Sequence, residues 1–278
     1  MSVAAATRSR GVHPPGLGPF TLGGRLGPGF LGLVIGAVLW EMLARVWDQP
    51  FFPPFSAVLM RLFELVGSGL IIGNLINSLF NLFIGFTLSA VLGVTIGVLM
   101  GAYTKVEMAL DVYVYAMLTA PSLVFAPVFF AIFGANDPRP SVIGVIVLYT
   151  IFIVIVNTVA GIRNVNKPLI EMGRSYLASD RQLFFKIILP AATPLIFAGL
   201  RLGMGRAVKG MINGEMFIAI VGLGAVVTSA GKRFDAEGVL AVLLLIIVVA
   251  LICVKIVQII DVRLTSWLPA TSKKRRRA

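Results

Sequence analysis

The chain has 278 residues, of which 58% are apolar and only 13% charged, and its mean hydropathy of +0.96 excludes an ordinary soluble globular protein. A hydrocarbon core about 30 Å thick takes roughly 20 apolar residues per helical crossing, so this length holds several crossings and no separate soluble catalytic domain. Net charge is +12, yet Lys and Arg fall between and beyond the apolar blocks, which points to membrane orientation and away from nucleic acid.

One Cys (Cys253) and one His (His13) exclude disulfide frameworks, multi-ligand metal sites and most histidine-based catalysis. No metal, cofactor or catalytic residue is expected. The leader, residues 1–29, is basic and rich in Gly and Pro, has no small-residue cleavage pattern, and reads as a disordered cytoplasmic arm.

Six crossings are predicted, at about 30–47, 76–101, 109–133, 141–161, 194–219 and 238–261, inside one membrane domain of residues 30–262 followed by a basic tail, 263–278. The fold class is an all-α polytopic membrane protein. An even number puts both termini on one side. On that side fall Arg8, Arg10, Arg25, Lys105, Arg163, Lys167, Arg174, Arg181, Lys186, Arg263 and the Lys273–Arg277 run, against only Arg61, Arg139, Lys232 and Arg233 on the other. This asymmetry places both termini in the cytoplasm.

Between the first two crossings, QPFFPPFSAVLMRLFELVGSG predicts a short helix along the outer interface with Val58, Leu59, Leu62, Phe63 and Val66 on its apolar side. Glu41 and Arg45 are spaced to pair with each other. Asn74, Asn77, Ser78 and Asn81 suit either an outer vestibule or helix–helix hydrogen bonding. Pro121 and Pro127 should kink the third crossing, where broken helices often border a solute, so Pro121 and Ser122 are candidate path residues.

The stretch EMGRSYLASDRQLFFKIILPAATP, residues 171–194, is charged and amphipathic between two apolar blocks. Pro168 suits a first helical turn, and Leu169, Met172, Gly173 and Tyr176 share one face expected to be packed. Ser179-x-x-Gln182 is a capping box, with Leu183, Phe184, Ile187 and Ile188 as the next apolar face. Pro190 and Pro194 should end this second helix and open the fifth crossing.

That fifth crossing, GLRLGMGRAVKGMINGEMF, carries ionisable residues that lipid makes expensive. Arg206, Lys209 and Asn213 share a face suited to the path of an anion, whereas Arg201 is expected to snorkel to headgroups. Glu215 is a further, deeper path candidate. Gly231-Lys232 fails as a phosphate loop, because position 226 is Val and position 233 is Arg.

The order Glu171, Gly173, then Ile187-x-Leu189-Pro190 resembles the EAA-x3-G-x9-I-x-LP signature of ABC importer permease subunits. Further matches are similar to the nitrate, sulfonate and taurine branch: Trp40-Glu41, Pro54 with Ser56, Ser78-Leu79, Gly85-Phe86, Phe133-Gly134, Asn157-Thr158, Gly199-Leu200-Arg201-Leu202, Glu215-Met216 and Gly222-Leu223-Gly224. The resemblance implies a type I ABC importer fold with a cytoplasmic coupling segment at about 168–188. It also implies a permease homodimer, cytoplasmic ABC ATPase subunits, a periplasmic or extracytoplasmic solute-binding protein, and residence in the bacterial inner membrane.

On this reading Glu171, Gly173, Arg174, Leu177, Ala178, Ser179, Ile187, Leu189 and Pro190 contact or position the ATPase. The chain departs from the signature at Met172 and Gly173, where the alanines stand, at Leu177, where the glycine stands, and at Asn81, in place of an arginine. Related branches carry thiamine precursors. Outside this family, a secondary transporter with Lys209 and Glu215 as its coupling pair is the next reading, and an intramembrane enzyme the last.

Overall fold

The computed structural model describes residues 28–47, 49–134, 137–218 and 220–265, and among them it contains helices and turns but no strand. Residues 1–27 of the expected arm and 266–278 of the expected tail lie outside the described residues. In chain order the helices are α1 (Pro28–Trp47), α2 (Phe55–Gly67), α3 (Leu70–Ala102), α4 (Thr104–Thr119), α5 (Ala126–Phe133) and α6 (Arg139–Arg163), then α7 (Lys167–Ser175), α8 (Asp180–Leu183), α9 (Leu189–Ile218), α10 (Gly222–Lys232) and α11 (Ala236–Leu264). Among the described residues five spans are long and apolar enough to cross a membrane, and α4 with α5, bent by 96°, makes a sixth if the pair is counted as one span.

Helix α6 is the central post, and glycines decide what packs on it. A Cβ added to Gly85, Gly93, Gly97 or Gly101 of α3 would meet Ile146, Val154, Thr158 or Ile162 of α6 respectively. The interval between partners is the same in all four pairs, so α3 and α6 run parallel. On the other flank Gly199 meets Asn157, Gly203 meets Val154, Gly210 meets Tyr149 and Gly214 meets Val145. Here one number rises as the other falls, so α9 runs antiparallel to α6. Small residues let helix backbones approach where lipid supplies no hydrophobic drive between helices. The core follows, with Val142 and Ile146 buried against Ala207, Val208 and Met211.

Gly97→Leu tests this seam. Its Cβ alone would sit 2.6 Å from Thr158 Cβ and 2.9 Å from the Ile155 carbonyl oxygen, a backbone atom that cannot swing aside. The substitution should cost about 1–3 kcal/mol or more by overpacking, read as a lowered unfolding temperature of the detergent-solubilised protein.

Several boundaries differ from the sequence expectation. The third crossing is broken, not merely kinked: α4 stops at Thr119, Ala120 is extended (φ −60°, ψ 142°) before Pro121, and a single 3-10 turn (Ser122–Phe125) leads into α5. A proline disfavours helical geometry in the residue before it, which accounts for Ala120. Pro127 lies in the first turn of α5 and starts that helix. Of the expected apolar side of α2, Val58 is buried, whereas Phe63 and Val66 are exposed.

Pro190 and Pro194 do not end the 180s helix. The chain from Asp180 to Ile218 is one continuous span, in which residues Phe184–Ile188 widen to a π-helical turn and the Leu189 N–H donates to the Phe184 carbonyl. That wider turn accommodates a proline that has no N–H to return to the preceding turn.

Ion pairs fasten the periphery. Glu41 pairs with Arg45 as expected, and also accepts from the N–H (3.0 Å) and hydroxyl (2.9 Å) of Ser56, tying α1 to α2. Arg61 bridges Glu64 at 2.9 Å and Asp235 at 2.7 Å. Burial alone would raise the Asp235 carboxyl, but Arg61 and the Gly238 N–H outweigh it and hold the group below its ordinary value.

Candidate functional site

Two regions gather the residues singled out in the sequence: the projection between α6 and α9, and the body of α9 with the short helix that follows it. In the projection, α7 begins with Pro168 in its first turn and ends at a sharp reversal. Gly173 is buried against the next segment, and a Cβ there would stand 2.6 Å from Ile187 Cδ1 and 2.7 Å from Leu183 Cδ1. A small residue at 173 is thus what lets the two arms close.

The reversal is fixed by backbone bonds. Leu177 N–H donates to the Arg174 carbonyl (2.9 Å) and Ala178 N–H to the Gly173 carbonyl (3.1 Å). Leu177 has φ 57°, in the left-handed region. The capping box then starts α8: the Ser179 hydroxyl accepts from Gln182 N–H, and Gln182 Oε1 accepts from Ser179 N–H. Leu183 is buried and Ile187, Leu189 and Pro190 are half-buried, while Glu171 and Arg174 face solvent.

The expected packed face of α7 is only partly inward. Gly173 turns in with Ile170, but Leu169 and Met172 are exposed and Tyr176 is 82% exposed. These three fall at i, i+3 and i+7, an apolar stripe with nothing over it among the described residues.

The residues of the expected anion face all lie on α9. Arg206 and Asn213 are half-buried and Lys209 is exposed. Asn213 Nδ2 donates to the Tyr149 hydroxyl at 2.8 Å. Among the described residues neither Arg206 nor Lys209 has an ion-pair partner. The turn containing Ser122, next to exposed Pro121, lies against α6 and α9, so the broken crossing borders the same helix. Arg201 pairs with Asp261 of α11, a partner whose position 60 residues away hid it from sequence spacing.

Glu215 lies away from that face. It is fully buried, and its Oε2 accepts from the Ser78 hydroxyl at 2.8 Å and from Gly224 N–H at 3.0 Å. The Ser78 hydroxyl in turn accepts from Leu223 N–H (2.9 Å), and Asn74 Oδ1 accepts from Gly222 N–H (3.2 Å). So the first N–H groups of α10, which a helix start always leaves without internal partners, are capped by side chains from α3 and α9. Gly222 (φ 85°) and Gly224 leave the room this requires: a Cβ on Gly224 would meet Glu215 Cβ at 2.6 Å and the Met216 nitrogen at 2.7 Å. The helix α10 itself, and this latch, were not anticipated from the sequence. The only signal was the Gly-x-Gly after a buried carboxylate.

Comparison with known proteins bears on what this arrangement serves. Residues 89–266 match the family model of the binding-protein-dependent transport system inner membrane component. A putative aliphatic sulfonates transport permease protein of Bacillus subtilis is 31% identical over 241 residues, covering 85% of this chain and 87% of the relative. The formylaminopyrimidine transport permease protein of Halalkalibacterium halodurans is 32% identical over 205 residues, covering 73% and 81%. The crystal structure of an amino acid ABC transporter with histidines superposes with a TM-score of 0.60 at 20% identity, covering 73% of this chain and 97% of that one, which is a likeness of fold.

Proposed function

The chain belongs to the binding-protein-dependent transport system inner membrane component family, as a multi-pass ABC importer permease, and from that premise we propose that it forms the pore for a small anion such as a sulfonate, nitrate or taurine. Two copies line the pore, ATPase subunits dock on residues 168–188 in the cytoplasm, and a solute-binding protein delivers the anion to the outer face of a bacterial inner membrane. ATP hydrolysis belongs to those separate subunits. The observation that carries this reading is the continuity of one rod. The chain from Asp180 to Ile218 begins in the exposed projection, bears Arg206 and Lys209 along its length, and ends at the α10 latch. A push on the projection is therefore delivered to the helix with the uncompensated cations, a rigid-body transition.

Cations exposed on a membrane span require water, an anion or a second subunit opposite them, because hydrocarbon solvates them poorly. That favours a pore face between two copies and an anionic solute. The secondary-transporter reading needs Lys209 and Glu215 to act as a pair. Glu215 is instead engaged by Ser78 and Gly224, and forms no ion pair with Lys209.

Glu171→Lys, or deletion of 171–182, should leave membrane insertion intact while ATPase assembly and uptake in proteoliposomes fall to background. Wild-type uptake by either variant would remove the coupling assignment. Labelled alkanesulfonate and formylaminopyrimidine, offered in competition, would separate the anion from the thiamine-precursor alternative.

A further inference from the structure

We infer that Leu177 is a preset apolar contact that enters a pocket on the ATPase and sets how tightly this permease binds it; this rests on the docking reading above. Leu177 combines two unfavourable features. Its backbone is left-handed (φ 57°), a conformation in which a branched side chain is strained and glycine is not. Its side chain is also 92% exposed, so no packing among the described residues offsets that strain. Backbone strain of this kind persists only where the surrounding structure fixes it, and it clusters at binding and switch regions.

The surroundings indicate that partner. The turn is rigid, braced by Leu177 N–H to Arg174 and Ala178 N–H to Gly173 on one side and by the Ser179–Gln182 capping box on the other. Leu177 follows Tyr176 at the turn, and with Leu169, Met172 and Tyr176 it adds a fourth exposed apolar side chain to the projection, the most exposed of the four. Charges of both signs flank these side chains, with Glu171, Arg174, Asp180 and Arg181 all exposed. Seating them in lipid would press Glu171 and Asp180 against anionic headgroups. A protein groove with an apolar floor and a mixed polar rim accepts all of these groups, and a projecting leucine on a fixed turn is read as a shape as well as a hydrophobe.

The test titrates the purified ATPase subunit of the same transporter onto full-length permease in nanodiscs, with Leu177→Gly, Leu177→Asn and Leu177→Met, and Glu171→Lys as reference. Gly and Asn accept the left-handed turn and remove the apolar group; Met keeps it. Gly and Asn should weaken ATPase binding roughly tenfold to hundredfold, as expected for leaving a leucine unburied, with unfolding temperature unchanged or raised. Met should bind within about threefold of wild type. Equal affinity of Leu, Gly and Asn, with Glu171→Lys abolishing binding, would overturn the role of Leu177 and leave the dock standing. If Glu171→Lys also bound normally, the docking reading itself would fail. Weaker binding that tracks a lowered unfolding temperature, or an effect only on association with empty anionic vesicles, would likewise overturn the inference.

Discussion

Glu215→Ala should be the most destabilising single substitution among those named here, costing about 3 kcal/mol or more, because it orphans several groups at once. The Ser78 hydroxyl and Gly224 N–H both donate to Glu215 Oε2, and Ser78 is itself the acceptor for Leu223 N–H. Each buried donor left without an acceptor costs about 1–3 kcal/mol, and water is not at hand in a membrane to replace it. Glu215→Gln keeps the shape and one acceptor oxygen and should restore most of the loss. Ser78→Ala should cost less than Glu215→Ala, and the two should be strongly non-additive, since they act on the same helix start. The measurement is the thermal unfolding midpoint of each variant in detergent, with the double mutant completing the cycle. Wild-type stability of Glu215→Ala would show that α10 is held by its apolar contacts alone. Gly224→Val should mimic Glu215→Ala, because its Cβ has only backbone and the Glu215 stem to meet.

Why this latch escaped the sequence while other features did not is a matter of range. The capping box was legible because Ser179 and Gln182 are three residues apart and satisfy each other. Membrane class and five of the crossings are legible from composition and block length, and the Glu41–Arg45 pair from its i, i+4 spacing. Glu215, by contrast, meets Ser78 across 137 residues, and Arg201 meets Asp261 across 60. Helix periodicity assigns such residues a face but says nothing about what stands opposite.

The helix α10, GLGAVVTSAGK, was missed for a related reason: three glycines weaken its propensity, and its N-terminus is stabilised in trans by Asn74, Ser78 and Glu215. Asn81, where the resembling branch carries an arginine, shares the Ser78 face of α3 and is fully buried. Glu215 has no ion-pair partner among the described residues, and Ser78 and Gly224 hold it through its Oε2. The α7 face was misjudged because periodicity does not distinguish an apolar stripe that packs inward from one that waits for a partner. Leu169, Met172 and Tyr176 satisfy both patterns, and only Gly173, by fitting under Leu183 and Ile187, shows which side is the inner one.

Lys209→Glu should reduce uptake of an anionic solute by roughly a hundredfold while leaving assembly with the ATPase unchanged. A unit charge about 6 Å from a passing anion is worth about 1.4 kcal/mol at an effective dielectric of about 40, between the protein-surface and bulk-water values, and reversal doubles the loss by replacing attraction with repulsion. Lys209→Gln removes the attraction alone and should cost about tenfold. The effect should appear in transport rate per ATP hydrolysed, since Lys209 is exposed on α9, well along the chain from the projection, and touches none of the latch groups. Arg206 lies one turn away on the same face and should behave alike but more weakly, because it is half-buried. Asn213 differs, as its amide is already engaged by the Tyr149 hydroxyl and a loss there acts first on the shape of the α6–α9 wall. Were Lys209→Glu to carry alkanesulfonate at the wild-type rate, the cationic face would not be the path. Were it to carry formylaminopyrimidine normally while losing the sulfonate, the face would be confirmed as a charge filter, and choice of solute would rest on the binding protein that feeds it.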